Sequence, residues 1–120
     1  MAGPRLHHDK NRNTVYFSST SAETITEPPL LHISCQPAIG DVFVHDVANR
    51  GLQLWVLDKV DGQAQWERVY ALDYRKHPCD STLFLSFPTP TAGKSKREPT
   101  WVMESTAKRH RPNHPKVLVE

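Results

Sequence analysis

Asp61-Gly62 interrupts two stretches of strand-forming residues, 52–60 and 63–72, and no other feature of the chain constrains its fold so tightly. Aspartate followed by glycine tolerates the paired positive φ angles of a type I′ turn, whose twist suits two antiparallel strands. A two-residue loop also sets the register. Val60 then faces Gln63, Leu57 faces Trp66, Trp55 faces Arg68 and Gln53 faces Tyr70, with the last three pairs on one face of the ribbon. The opposite face carries Leu52, Leu54, Val56, Val69 and Ala71, and turns polar near the loop at Asp58, Gln65 and Glu67. Both faces are apolar away from the turn, so the expectation is a central ribbon covered on two sides, with Trp55, Trp66 and Tyr70 in the core.

Period-two alternation of apolar residues recurs elsewhere, whereas no window holds a helical i, i+3, i+4, i+7 pattern longer than two turns. Strands are expected over 14–18, 30–35, 41–47 and 81–87, with weaker candidates at 100–104 and 116–119. Pro28-Pro29, Pro37, Gly40, Asn49-Arg50-Gly51 and the prolines at 88 and 90 separate them. Short strands at this spacing predict an all-β fold, a single small antiparallel β-barrel or β-sandwich with basic, partly flexible N- and C-terminal arms. With 120 residues there is room for one domain. We divide the chain into a polar basic arm (1–13), a β-domain (14–92) and a basic C-terminal segment (93–120).

Charge is distributed unevenly along these parts. Residues 1–22 carry three basic and one acidic side chain, residues 23–92 five and nine, and residues 93–120 seven and three. An acidic middle between basic ends repels a polyanion from the body and attracts it to the termini, so the electrostatic footprint belongs there. His7, His8, His110 and His114 lie in the same ends and add charge below about pH 6.5.

The C-terminal cations are ordered as two clusters. Lys96-Arg97, ten intervening residues, and Lys108-Arg109-His110-Arg111 have the spacing of a bipartite nuclear import signal, in which two basic groups reach separate acidic pockets on a carrier. Ten extended residues span up to about 33 Å, enough for the double contact. A packed strand at Trp101-Val102-Met103 would stand in the way of that use. The same side chains, Lys94, Lys96, Arg97, Lys108, Arg109, Arg111 and Lys116, also suit phosphates, which they would hold without reading base sequence. Stacking on bases needs exposed aromatics, for which Tyr16, Phe17, Phe84 and Trp101 are candidates outside the hairpin; Trp55 with Arg68 is the candidate partner contact within it.

Other chemistries find less support. His32, Cys35, His77 and Cys79 fit no common zinc spacing, and His32 and Cys35 would point to opposite faces of a regular strand, so no metal site is assigned. Nucleophile elbows, phosphate-cradling glycine loops and His-Glu-x-x-His strings do not occur, and we expect neither enzymatic activity nor a cofactor. No apolar run approaches the length of a membrane span, and Met1 to Lys10 lacks the apolar stretch of a signal peptide. The two cysteines are therefore expected to be reduced in a soluble nuclear and cytoplasmic protein with no membrane partner.

These readings converge on a non-enzymatic, nuclear-targeted nucleic-acid-binding or accessory β-domain acting through basic termini. Nucleic acid of unspecified type or an acidic protein is its expected partner, with an import carrier as a further one, and both a cellular RNA or chromatin adaptor and a virus-encoded accessory protein fit that description. The alternative is a protein-interaction or self-assembling module that uses the aromatic β-core or its sheet edges, as a homo-oligomer in the second case.

Overall fold

A computed structural model describes residues 7–11, 14–29, 38–72, 75–88 and 98–119. Among the described residues the protein is mostly β, with two sheets. The larger has the order β1 (His7–Asn11), β2 (Thr14–Ser21), β3 (Val42–Val47), β4 (Gly51–Val60) and β5 (Gln63–Val69); the smaller joins β6 (Lys76–His77), β7 (Asp80–Ser86) and β8 (Thr100–Met103). One short helix, α1 (Glu104–His110), continues from β8 and runs into a 3-10 turn at Arg111–Asn113.

The expected hairpin forms with its expected turn. Asp61 and Gly62 have φ of 51° and 81°, and Val60 pairs with Gln63, Leu57 with Trp66 and Trp55 with Arg68. The ladder stops at Leu54 and Val69, so the expected pairing of Gln53 with Tyr70 is not made. Instead, the C-terminal segment takes over the edge of β4 that β5 has left. Val117 bridges Leu52 in parallel, with Leu52 N–H donating to the Lys116 carbonyl at 2.9 Å and Leu118 N–H donating to the Leu52 carbonyl at 2.7 Å. Gly51 makes that approach feasible, because a Cβ there would lie 2.8 Å from the Lys116 carbonyl oxygen.

Two apolar clusters cover the two faces of β4. Leu52, Leu54 and Val56 join Tyr16, Val42, Val44 and Val69, together with Leu85, Phe87 and Trp101 from the smaller sheet and its flank. On the opposite face Trp55 packs with Phe17 and Phe43, flanked by Val15, Ile25 and Trp66. Phe43 meets Trp55 and Trp66 edge-on, with centroids 6.0 and 5.9 Å apart. Burial on both sides explains why 52–57 reads as an almost continuous apolar run.

Three expectations are corrected. The larger sheet is not closed into a barrel: β1 and β5 lie at opposite ends of the strand order, and no ladder joins them among the described residues. Pairing is not wholly antiparallel, because β2 and β3 run parallel from Tyr16↔Val42 to Ser21↔Val47. Tyr70 is not core but 55% exposed, since it follows the point where β5 leaves the ladder. Within the stretch expected to be a polar arm, β1 pairs antiparallel with β2. The strand expected over 30–35 lies outside the described residues.

Buried polar side chains pin residues 21–25 to the sheet. His45 and Gln53 are fully buried. Gln53 grips Ile25 at both ends of its amide, accepting from the Ile25 N–H at 2.8 Å and donating to its carbonyl at 3.0 Å. His45 Nδ1 lies 2.7 Å from Ser19 Oγ, while Nε2 lies 2.8 Å from the Glu23 carbonyl. A carbonyl only accepts, so Nε2 carries the hydrogen in that bond.

Candidate functional site

The C-terminal basic segment begins from an anchored strand. Trp101 is 5% exposed; its indole Nε1 donates to the Gly40 carbonyl at 2.8 Å, and its backbone N–H donates to Thr14 Oγ1 at 3.0 Å. The His77 ring meets the indole edge-on, centroids 4.7 Å apart. β8 pairs with β7 through Leu85↔Trp101 and Phe84↔Val102, so the apolar trio inside the spacer between the basic clusters is a strand, with Trp101 and Val102 buried and Met103 exposed.

From there the chain turns into α1, a seven-residue helix with no buried residue. Glu104 stands in its first turn and Lys108, Arg109 and His110 in its last, the arrangement that complements the helix dipole. Lys108 Nζ reaches Glu104 at 3.6 Å, an exposed i,i+4 pair that leaves the lysine in solvent. Arg109 Nη2 lies 3.4 Å from Thr106 Oγ1. Lys108, Arg109, Arg111 and Lys116 are all exposed. Lys94, Lys96 and Arg97 lie outside the described residues.

Ser86, buried at the end of β7, holds the far end of the helix. Its hydroxyl oxygen lies 2.9 Å from His110 Nδ1 and 2.9 Å from His114 Nε2. A hydroxyl has one hydrogen to give, so it donates to one ring and accepts from the other. Two residues of the basic segment are thereby tied to a single buried point of the smaller sheet.

The tail after the 3-10 turn runs back along β4, and Arg68 locks it. Arg68 Nη2 donates to the Leu118 carbonyl at 2.9 Å. The guanidinium carbon also lies 4.9 Å from the ring centroids of both Trp55 and Tyr70, placing the cation between a buried indole and an exposed phenol. At the fork where Tyr70 parts from β4 and the tail enters, a groove of about 260 Å3 opens, lined by Tyr70, Leu72, Arg111, His114, Pro115 and Val117.

Of the aromatics chosen from sequence for contact with a partner, Tyr16, Trp55 and Trp101 are buried, as are Phe17 and Phe84. Arg68 is half-buried and engaged as described. Tyr70 and His114 flank the groove without standing out in the sequence as contact residues, because the alternation that places Tyr70 in the core continues one residue past the end of β5. Among the described residues no group of three or more His, Cys, Asp and Glu side chains gathers at one point; His32 and Cys35 lie outside them. No described helix is long and apolar enough to cross a membrane. Comparison with protein-family models, with curated proteins and with solved structures gives no match.

Proposed function

We propose that this chain is a non-enzymatic β-domain that binds nucleic acid through its C-terminal basic segment. One observation carries the reading: Lys108, Arg109, Arg111 and Lys116 are exposed on a stretch fixed to the body at Trp101, Ser86 and Leu52. Cations on a fixed segment lose less conformational freedom on meeting a phosphate backbone than the same residues on a loose arm. They supply affinity without base recognition.

Carrier-mediated import through 96–97 and 108–111 in one extended peptide requires β8 to be stripped from β7. The proposal is therefore binding by the folded chain, with nuclear delivery a separate question for localisation of a tagged protein. Burial of Trp55 favours this reading over docking of a protein on the aromatic hairpin.

A deletion of 93–120 would remove β8 and the Trp101 anchor together with the cations. Replacing Lys108, Arg109, Arg111 and Lys116 together by glutamine keeps the anchors. Anisotropy titration with labelled DNA and RNA should show binding by the natural sequence and at least a tenfold loss in this variant, on the order expected for several lost phosphate contacts. Equal affinity of the two proteins, or no binding by either, contradicts the proposal.

A further inference from the structure

Resting on the nucleic-acid reading, we infer that the groove between Tyr70 and Arg111 is a subsite for one unpaired nucleotide, so that the partner is a single strand and not a duplex.

The groove joins the two chemistries such a ligand needs. Tyr70 supplies an aromatic surface that is 55% exposed. Arg68 steadies it, stacked 4.9 Å from its centroid and itself held by Trp55 and the Leu118 carbonyl. A ring fixed on one side loses little freedom when a base stacks on it. Arg111 and His114 line the same groove. A guanidinium presents a planar fork of N–H donors matched to phosphate oxygens, while His114, whose Nε2 is held by Ser86, forms the wall beside it. Leu72, Pro115 and Val117 give the remainder an apolar wall.

Size and accessibility narrow the ligand. At about 260 Å3 the groove falls just below the range of about 300–1,000 Å3 typical of drug-sized ligands, so it takes no more than one nucleotide, seated in part with the rest in solvent. Base faces are available for stacking on Tyr70 only where the strand is unpaired, because a duplex covers both faces of each base with its neighbours. An acidic peptide would satisfy Arg111 but gain nothing from the exposed ring, and that difference separates the two occupants.

Anisotropy titrations of the full chain with labelled oligo-dT, oligo-U and a duplex of equal length test the inference. The expected result is at least tenfold tighter binding of one or both single strands than of the duplex, oligo-dT alone or oligo-U alone identifying the preferred sugar. Tyr70→Ala should lower single-strand affinity about tenfold, within the range of base–aromatic stacking, whereas Tyr70→Trp, which keeps a π-face, should retain it. Tyr70→Leu, which keeps apolar contact with the Arg68 stem, provides a second variant in case alanine perturbs the fold. Its single-strand affinity should also fall, with an unchanged circular dichroism spectrum. Equal single-strand and duplex binding that Tyr70→Ala and Tyr70→Leu leave unchanged overturns the subsite while sparing the phosphate contacts. Displacement of the oligonucleotide by poly-glutamate at equal charge concentration also overturns it. Absence of binding to any nucleic acid removes both readings.

Discussion

Trp101 Nε1 and the Gly40 carbonyl meet at 2.8 Å although 61 positions separate the two residues in sequence, and this contact links the start of the basic segment to the turn before β3. Gly40 has φ +96°, and a side chain there would collide with the His77 ring that stands edge-on to the same indole. Trp101→Ala should cost about 3–5 kcal/mol, the usual range for emptying a buried aromatic site. Trp101→Phe should cost less, with about 1–3 kcal/mol assigned to the Gly40 oxygen left without this donor. Gly40→Ala should also destabilise, through both its backbone angle and the crowded ring. Urea denaturation followed by far-UV circular dichroism checks all three. A Trp101→Ala protein as stable as the natural sequence would show that the segment is not anchored there.

His77 makes this junction sensitive to acid. Burial holds its ring below the ordinary histidine value of 6.5, opposed by the carboxylates of Asp80 and then Asp58. The Cys79 N–H donates to Nδ1 at 3.0 Å, a bond available only while that nitrogen is unprotonated. The unfolded chain therefore takes up a proton more readily than the folded one. Stability from this group is fully present above pH 6.5 and is lost as pH falls through the lowered folded-state value. Thermal unfolding between pH 7.5 and 5 should show a decline in midpoint for the natural sequence and a shallower one for His77→Phe. Parallel slopes in the two proteins would remove His77 as the cause.

Ser86 should govern the order of α1 more than the sheet that bears it. Ser86→Ala takes the same buried partner from His110 and His114, and should cost about 1–3 kcal/mol while leaving β7 paired with β8. Hydrogen exchange should accelerate over 104–113 and stay unchanged over 51–69. Uniform acceleration would mean that the serine supports the whole domain, and no acceleration that the clamp is immaterial.

The parts of the fold legible in the sequence are those whose causes are local. Asp61-Gly62 dictates its own turn, and the turn dictates register outward as far as Leu54↔Val69. Beyond that point the edge of β4 is occupied by a segment distant in sequence: Val117 bridges Leu52 where a longer β5 would pair, and Tyr70 stands exposed. Nothing near Tyr70 in sequence signals this, because what decides it is the Lys116 carbonyl accepting from Leu52. The parallel pairing of β2 with β3 is hidden for the same reason. α1 is not legible in the sequence because it is short and lacks an apolar stripe; Ser86 holds its far end where periodicity does not. The basic residues of the site were visible as charge, while the aromatic that accompanies them became visible only from the fold.

Salt dependence is the most direct test of a fixed cationic surface that grips phosphates. Affinity for a labelled oligonucleotide should be measured across a range of potassium chloride concentrations, for the natural sequence and for the variant with Lys108, Arg109, Arg111 and Lys116 replaced by glutamine. Each phosphate contact contributes about 0.7 to 0.9 to the slope of log K against log salt. The account predicts a steep negative slope for the natural sequence that becomes shallower by about 2 to 4 in the variant, as three or four such contacts are lost. Identical slopes in the two proteins, or affinity indifferent to salt, would contradict it.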